Sequence, residues 1–135
     1  MTQRILFVSD GPMDQSLRSA LEEREFELAE RDSRRDLNEF STERCDLLII
    51  EVRAAAQAID LLKKVRAAPA LRKVLTLVTA EWGTGQATLA LANGADAFEP
   101  APIDASRLVA AVEKLLRPRM VMTAKASTRE GEAEE

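Results

Sequence analysis

The sequence predicts a doubly wound α/β domain: one sheet of five parallel strands with helices packed on both faces. Three observations carry this reading. Short apolar runs at Ile5–Val8, Leu47–Ile50 and Val74–Thr79 are the length of strands, and their continuity suits strands covered on both sides. Segments with apolar residues at helical spacing lie between the runs. Strand and helix then alternate five times, which implies parallel strands joined by right-handed crossovers. A length of 135 residues fits one such domain, large enough to bury a core without disulfides or metals.

The elements follow in order. Ile5-Leu6-Phe7-Val8 forms the first strand and is closed by Ser9-Asp10-Gly11-Pro12, with Pro12 placed for the first turn of a helix carrying Leu17, Ala20 and Leu21. Phe26 and Leu28 alternate with Glu25, Glu27 and Glu30 in a one-sided second strand. Asp32 or Ser33 caps a second helix with Leu37 and Phe40. Leu47–Ile50 is the third strand and runs into Glu51. Ile59, Leu62 and Val65 space as a third helix that stops at Pro69. The fourth strand is Val74–Thr79, and Thr84 caps a helix of Ala87, Leu89, Ala90 and Leu91 that Asn93-Gly94 ends. Ala97-Phe98 begins the fifth strand. Asp104 caps the last helix, with Leu108, Ala111, Val112, Leu115 and Leu116 on its buried side. Length and order favour a flavodoxin-like (βα)5 sheet with strand order 2-1-3-4-5. The domain is expected over residues 1–118. The stretch 119–135 changes to Ala, Lys, Ser, Thr and Glu and reads as a disordered or weakly ordered tail, with Met120-Val121-Met122 its one apolar patch.

Composition removes several function classes. The chain has no histidine, so Ser-His-Asp and Cys-His catalysis and His-ligated zinc are excluded. A net charge of -4 argues against a nucleic-acid surface and against an anionic membrane. Cys45 is the single cysteine, which fits a reducing cytoplasm, and the N-terminal apolar run is too short for a signal peptide or a span. Gly83 and Gly85 lack the spacing of a dinucleotide fingerprint.

In open parallel sheets ligands gather where the strands end. That edge here holds Ser9-Asp10, Glu51, Thr79-Ala80 and Ala101-Pro102. With these residues in view, the chain resembles the receiver domains of bacterial two-component response regulators. Cys45–Glu51 is similar to the segment leading to the phosphoacceptor, Val78-Thr79-Ala80 to the switch-threonine segment, and Gly94–Asp104 to the Gly-Ala-Asp…Lys-Pro-Phe-Asp stretch. The likeness spans roughly 3–117.

The departures are chemical. The resemblance implies two acidic residues after the first strand, and Ser9 replaces one of them, leaving Asp10. It implies an aspartate where Glu51 stands and a lysine where Ala101 stands. Pro102, preceded by a cis bond in the family, Thr79 and the switch-position aromatic Phe98 remain. The loop after Glu51 is shortened, with Ala54-Ala55-Ala56 in it. Asp10 and Glu51 alone make a poor Mg2+ site, since Mg2+ wants near-octahedral oxygen ligation. Phosphoryl transfer depends on the metal and the neutralising lysine, so no cofactor is expected.

Two readings of Arg53 stand. Two residues beyond Glu51 in an extended chain, its guanidinium pairs with Glu51 or Asp10, or it points into solvent. Glu51 can also serve as a partial phosphate mimic, with the Thr79 hydroxyl donating to it. Trp82 is either a binding anchor or cover for the core edge, and Phe98 is either turned inward or presented outward. The expected function is a non-enzymatic, phosphorylation-independent pseudo-receiver. It would bind signalling proteins through the fourth helix, fifth strand and fifth helix (residues 84–117), and the family's habit of pairing through this face leaves a homodimer open. The rivals are a working single-domain response regulator phosphorylated by a histidine kinase, and a small-ligand sensor using the acidic pocket.

Overall fold

A computed structural model describes residues 3–34, 45–81 and 86–128, with side chains described at 3–34, 45–81 and 87–116. The chain runs β1 (Arg4–Ser9), α1 (Gln15–Glu23), β2 (Glu27–Asp32), β3 (Leu47–Glu51), α2 (Ala55–Ala67), β4 (Leu75–Glu81), α3 (Gln86–Ala92), β5 (Ala97–Ala101) and α4 (Ala105–Thr128). The strands form one sheet in the order β2-β1-β3-β4-β5, and every pairing is parallel. This is the flavodoxin-like arrangement that the alternating pattern predicts.

The period of two along each strand divides the core in half. Leu6, Val8, Leu48, Ile50 and Val78 pack with Ala58, Leu62, Val65 and Ala90 on the α2–α3 face. Their neighbours Ile5, Phe7, Leu47, Ile49 and Leu77 pack with Leu17, Leu21, Leu108, Val112 and Leu116 on the α1–α4 face. Eight of the central strand residues, Ile5–Val8 and Leu47–Ile50, are at most 1% exposed, so a charge just beyond them meets solvent only at the strand ends. Cys45 is half-buried and packs against the α2–α3 core.

Caps account for most of the boundary differences. Pro12 lies before α1 rather than in its first turn, because Asp14 takes the cap and accepts from the Ser16 amide at 2.8 Å. The Ser16 hydroxyl and, after it, this amide contact hold the Asp14 carboxyl below its ordinary range. Asp104 caps α4 as expected, accepting from the Arg107 amide at 2.8 Å. Ala55 and Ala56 fall inside α2, since alanine is the strongest helix former. Gly94 adopts a φ of 107° at the end of α3, a left-handed conformation that suits glycine.

Asp32 ends β2, and its carboxylate accepts from the Arg34 amide at 2.9 Å. The helix expected to carry Leu37 and Phe40 lies outside the described residues, as do Trp82 and Thr84. The tail expected from residue 119 is helical in its backbone as far as Thr128. The Ala, Met and Lys that replace the apolar stripe there are themselves good helix formers.

Candidate functional site

Register sets the site. Ser9, Glu51, Thr79 and Glu99 are successive cross-strand partners on β1, β3, β4 and β5. Each lies an even number of residues beyond Ile5, Leu47, Leu77 or Ala97, so by alternation all four take the α1–α4 face of the sheet. Just beyond this row the chain opens into a cavity of about 370 Å³ lined by Asp10, Glu51, Val52, Arg53, Glu81, Ala101 and Pro102. The Ala101–Pro102 bond in its wall is cis.

Glu51 is half-buried. Burial pushes its carboxyl above the ordinary glutamate range, and the negative charges of Asp10 and Asp14 push it further in the same direction. Asp10 is exposed, and its Oδ2 accepts from the backbone N–H of Arg53 at 2.9 Å. The same segment is tied on its other side, because the Arg53 carbonyl accepts from the Glu81 amide at 3.0 Å. Thr79 is fully buried, and its Oγ1 has no hydrogen-bond partner. Ser9 is 5% exposed and donates its hydroxyl to the Gly11 carbonyl.

Of the seven residues singled out for this edge, Asp10, Glu51, Arg53, Ala101 and Pro102 share the cavity. Ser9 does not: it lines a neighbouring hollow with Asp32 and Arg34. Thr79 sits behind the wall, and the hydrogen bond from its hydroxyl to Glu51 is not formed. The guanidinium of Arg53 makes no ion pair among the described residues, where it is exposed; the backbone, not the side chain, reaches Asp10. The chain bends at Arg53 and Ala54, so the alternation that would carry Arg53 beside Glu51 ends one residue too soon. Phe98 is half-buried against the α2–α3 core, the inward of its two orientations.

Two lining residues, Val52 and Glu81, were absent from the sequence reading. Glu81 stands two residues beyond Thr79 in β4, and continuing the strand by one alternation was the signal for it. Glu99, the β5 member of the cross-strand row, pairs with Arg107 at the start of α4.

One oxygen of Asp10 is engaged by a backbone amide, and Ser9 is turned away. Among the described residues no three His, Cys, Asp or Glu side chains come together to hold a metal ion. Nor is any described helix long and apolar enough to cross a membrane.

No family model matches the chain, and no curated protein matches it. Solved structures do. The chemotaxis response regulator CheY4 of Vibrio cholerae superposes with a TM-score of 0.74 at 19% identity, over 86% of this chain and 100% of that one. The signal receiver domain of a signal transduction histidine kinase from Syntrophus aciditrophicus gives 0.71 at 23% identity, over 99% and 98%. A CheY-like response regulator receiver domain protein from Methanospirillum hungatei gives 0.73 at 18% identity, over 90% and 99%. At these identities the likeness establishes the fold, which is that of response regulator receiver domains.

Proposed function

We propose that this chain is a receiver-type signalling module that works without phosphorylation. The observation that carries the reading is the state of Asp10. One of its oxygens accepts from the Arg53 amide, at a cavity where Ala101 and Pro102 stand in the lining and no lysine does. A phosphoryl group arriving at Glu51 would add about −1.5 to −2 of charge to a site where burial and Asp10 already disfavour one negative charge. Positioning and neutralisation are the main contributions a protein makes to phosphoryl transfer, and the second is missing here. The module is therefore read as non-enzymatic, as binding no cofactor, and as acting in the cytoplasm.

Its output is contact with signalling proteins through α3, β5 and α4. Leu89 and Leu91 of α3 are about half exposed there, at 49% and 50%. Pairing of two copies through the same face belongs to this proposal.

The rival reading, a regulator phosphorylated at Glu51, rests on the placement of that carboxyl at the end of β3. Incubation with acetyl phosphate and Mg2+, followed by intact-mass measurement, separates the two. The expected result is an unchanged mass and no Mg2+-dependent beryllofluoride adduct by fluorine NMR. A stable adduct on Glu51 would sink the proposal.

A further inference from the structure

We infer that the acidic residues 130–135 of one copy of this chain dock on a basic patch of a second copy, formed by Lys63 and Lys64 of α2 and by Arg72 and Lys73 just beyond it. The inference does not depend on the phosphorylation-independent reading, and its surface is separate from α3, β5 and α4.

The patch originates in the local sequence. Between Leu61 and Ala80 the chain has five cationic residues and no acidic one. Lys63, Lys64, Arg72 and Lys73 are exposed. Lys64 lies 3.6 Å from Asp60, an exposed pair that contributes little. Lys63, Arg72 and Lys73 make no ion pair among the described residues. The last turn of a helix favours cations, which accounts for Lys64 and Arg66. It does not account for Arg72 and Lys73, which lie past the end of α2 at Ala67.

Arg66 fixes the patch in shape. Its guanidinium donates to the carbonyls of Leu71, Arg72 and Val74, so the turn that carries Arg72 and Lys73 is folded against the last turn of α2. The Arg72 amide donates in turn to the Ala68 carbonyl at 2.9 Å. The backbone beneath the exposed cations is therefore set before a partner arrives, which lowers the ordering cost of binding.

Charge selects the occupant. Residues 129–135 lie outside the described residues, and in sequence they read Arg-Glu-Gly-Glu-Ala-Glu-Glu, four glutamates against one arginine. A short acidic segment matches a patch of four cations. A long polyanion does not: the chain has a net charge of -4, so apart from these five cations the rest of it carries -9 and repels a nucleic acid or an anionic membrane.

Topology makes the contact one between copies. α2 and α4 both run back toward the edge where the strands begin, but on opposite faces of the sheet. From Leu116, the last of its described core residues, α4 continues to Thr128, about 18 Å of helix. To reach its own patch the segment would have to return over that length and cross roughly 20 Å of helix and sheet layers, a straight path of roughly 27 Å. Seven extended residues span at most about 25 Å, and most of the glutamates fall well short of that. A second copy is under no such limit, and two copies that exchange segments close a symmetric pair.

The test is NMR translational diffusion of the full chain at about 20 mM and about 500 mM NaCl. The expected result is self-association with half-saturation at about 0.1–1 mM at low salt, weakened about tenfold or more at high salt. Two variants separate the halves of the contact. One neutralises the segment with Glu130→Gln, Glu132→Gln, Glu134→Gln and Glu135→Gln, and the other reverses the patch with Lys63→Glu, Arg72→Glu and Lys73→Glu. Each alone should diffuse as a monomer. An isotope-labelled segment variant mixed with the unlabelled patch variant has one intact patch and one intact segment, and its amides at Lys63, Lys64, Arg72 and Lys73 should shift again.

A full chain that stays monomeric at both salt concentrations, association that survives either variant, or a mixture without shifts at the patch would overturn the inference. So would patch shifts between the unaltered chain and the segment variant that do not change with protein concentration, since these mark a contact within one copy. Should circular dichroism show the patch variant unfolded, Lys63→Gln, Arg72→Gln and Lys73→Gln takes its place.

Discussion

At the edge where the strands begin, Arg66 reaches from the last turn of α2 and donates to the carbonyls of Gly94 (2.6 Å), Val74 (2.7 Å) and Arg72 (3.0 Å) while pairing with Asp96. Asp96 in turn accepts from the Thr76 amide at 2.8 Å, and Asp46 accepts from the Arg4 amide at 2.8 Å. At the edge where the strands end, Thr79 has an orphaned hydroxyl, and burial together with Asp10 and Asp14 disfavours the charged form of Glu51. Both edges use the same sheet and the same kinds of residue. The starting edge converts its polar groups into connections between elements, whereas the finishing edge leaves the Thr79 hydroxyl without a partner and the Glu51 charge disfavoured, both of which lower stability. Unmatched groups that survive in a locally consistent fold mark the place where something other than stability is served.

The sharpest way to break this contrast is at Arg66. Replacing it with alanine strands several carbonyls and Asp96 together, and should cost about 3 kcal/mol in urea unfolding. The Glu51 titration at the far edge should not move. A small loss would mean that the starting edge is not the stabilising one.

Thr76 and Thr79 allow a test within one strand. Both are fully buried, yet the Thr76 hydroxyl donates to the Val74 carbonyl at 3.0 Å and the Thr79 hydroxyl donates to nothing. Thr76→Val should destabilise by about 1 kcal/mol and Thr79→Val should stabilise by about as much. Shifts of the same sign would show that the orphaned hydroxyl carries no penalty.

Glu51 adds a pH signature. Its carboxyl is raised in the fold, so the folded state holds the proton more tightly than the unfolded chain, and stability from this group falls as pH rises above 4.5. Glu51→Gln should therefore gain at most about 1 kcal/mol at neutral pH, because the group still meets solvent. The gain should vanish below pH 4.5, the ordinary value for the group. A constant difference across the range would point to packing instead of charge.

The smallest effect belongs to Asp10→Asn. The amide keeps an oxygen for the Arg53 N–H and removes the second contributor to the Glu51 shift. Carbon-detected NMR should show the Glu51 midpoint moving down, with little change in melting temperature. A midpoint that stays put would leave burial and Asp14 as the causes.

The strands and the helices between them were legible in the sequence because they depend on local periodicity, and the strand order followed from the length and order of those elements. Ile5–Val8 and Leu47–Ile50 announce doubly covered strands by composition alone. The location of the edge site followed from the same pattern, since a charge at Glu51 directly after four buried residues has to stand at a strand end.

What the sequence could not decide was which polar atom meets which. Asp10 and Arg53 are 43 positions apart, and only the closed sheet shows that the carboxylate takes the backbone amide and leaves the guanidinium outside. The same holds for Arg66, which reads as an ordinary charge in a helix until Gly94 and Asp96, 28 and 30 positions on, fold against it. Hydrophobic burial is non-directional and proportional to area, so pattern alone predicts it. Hydrogen bonds demand an angle and a distance of a few tenths of an ångström, and those exist only once the tertiary structure has set them.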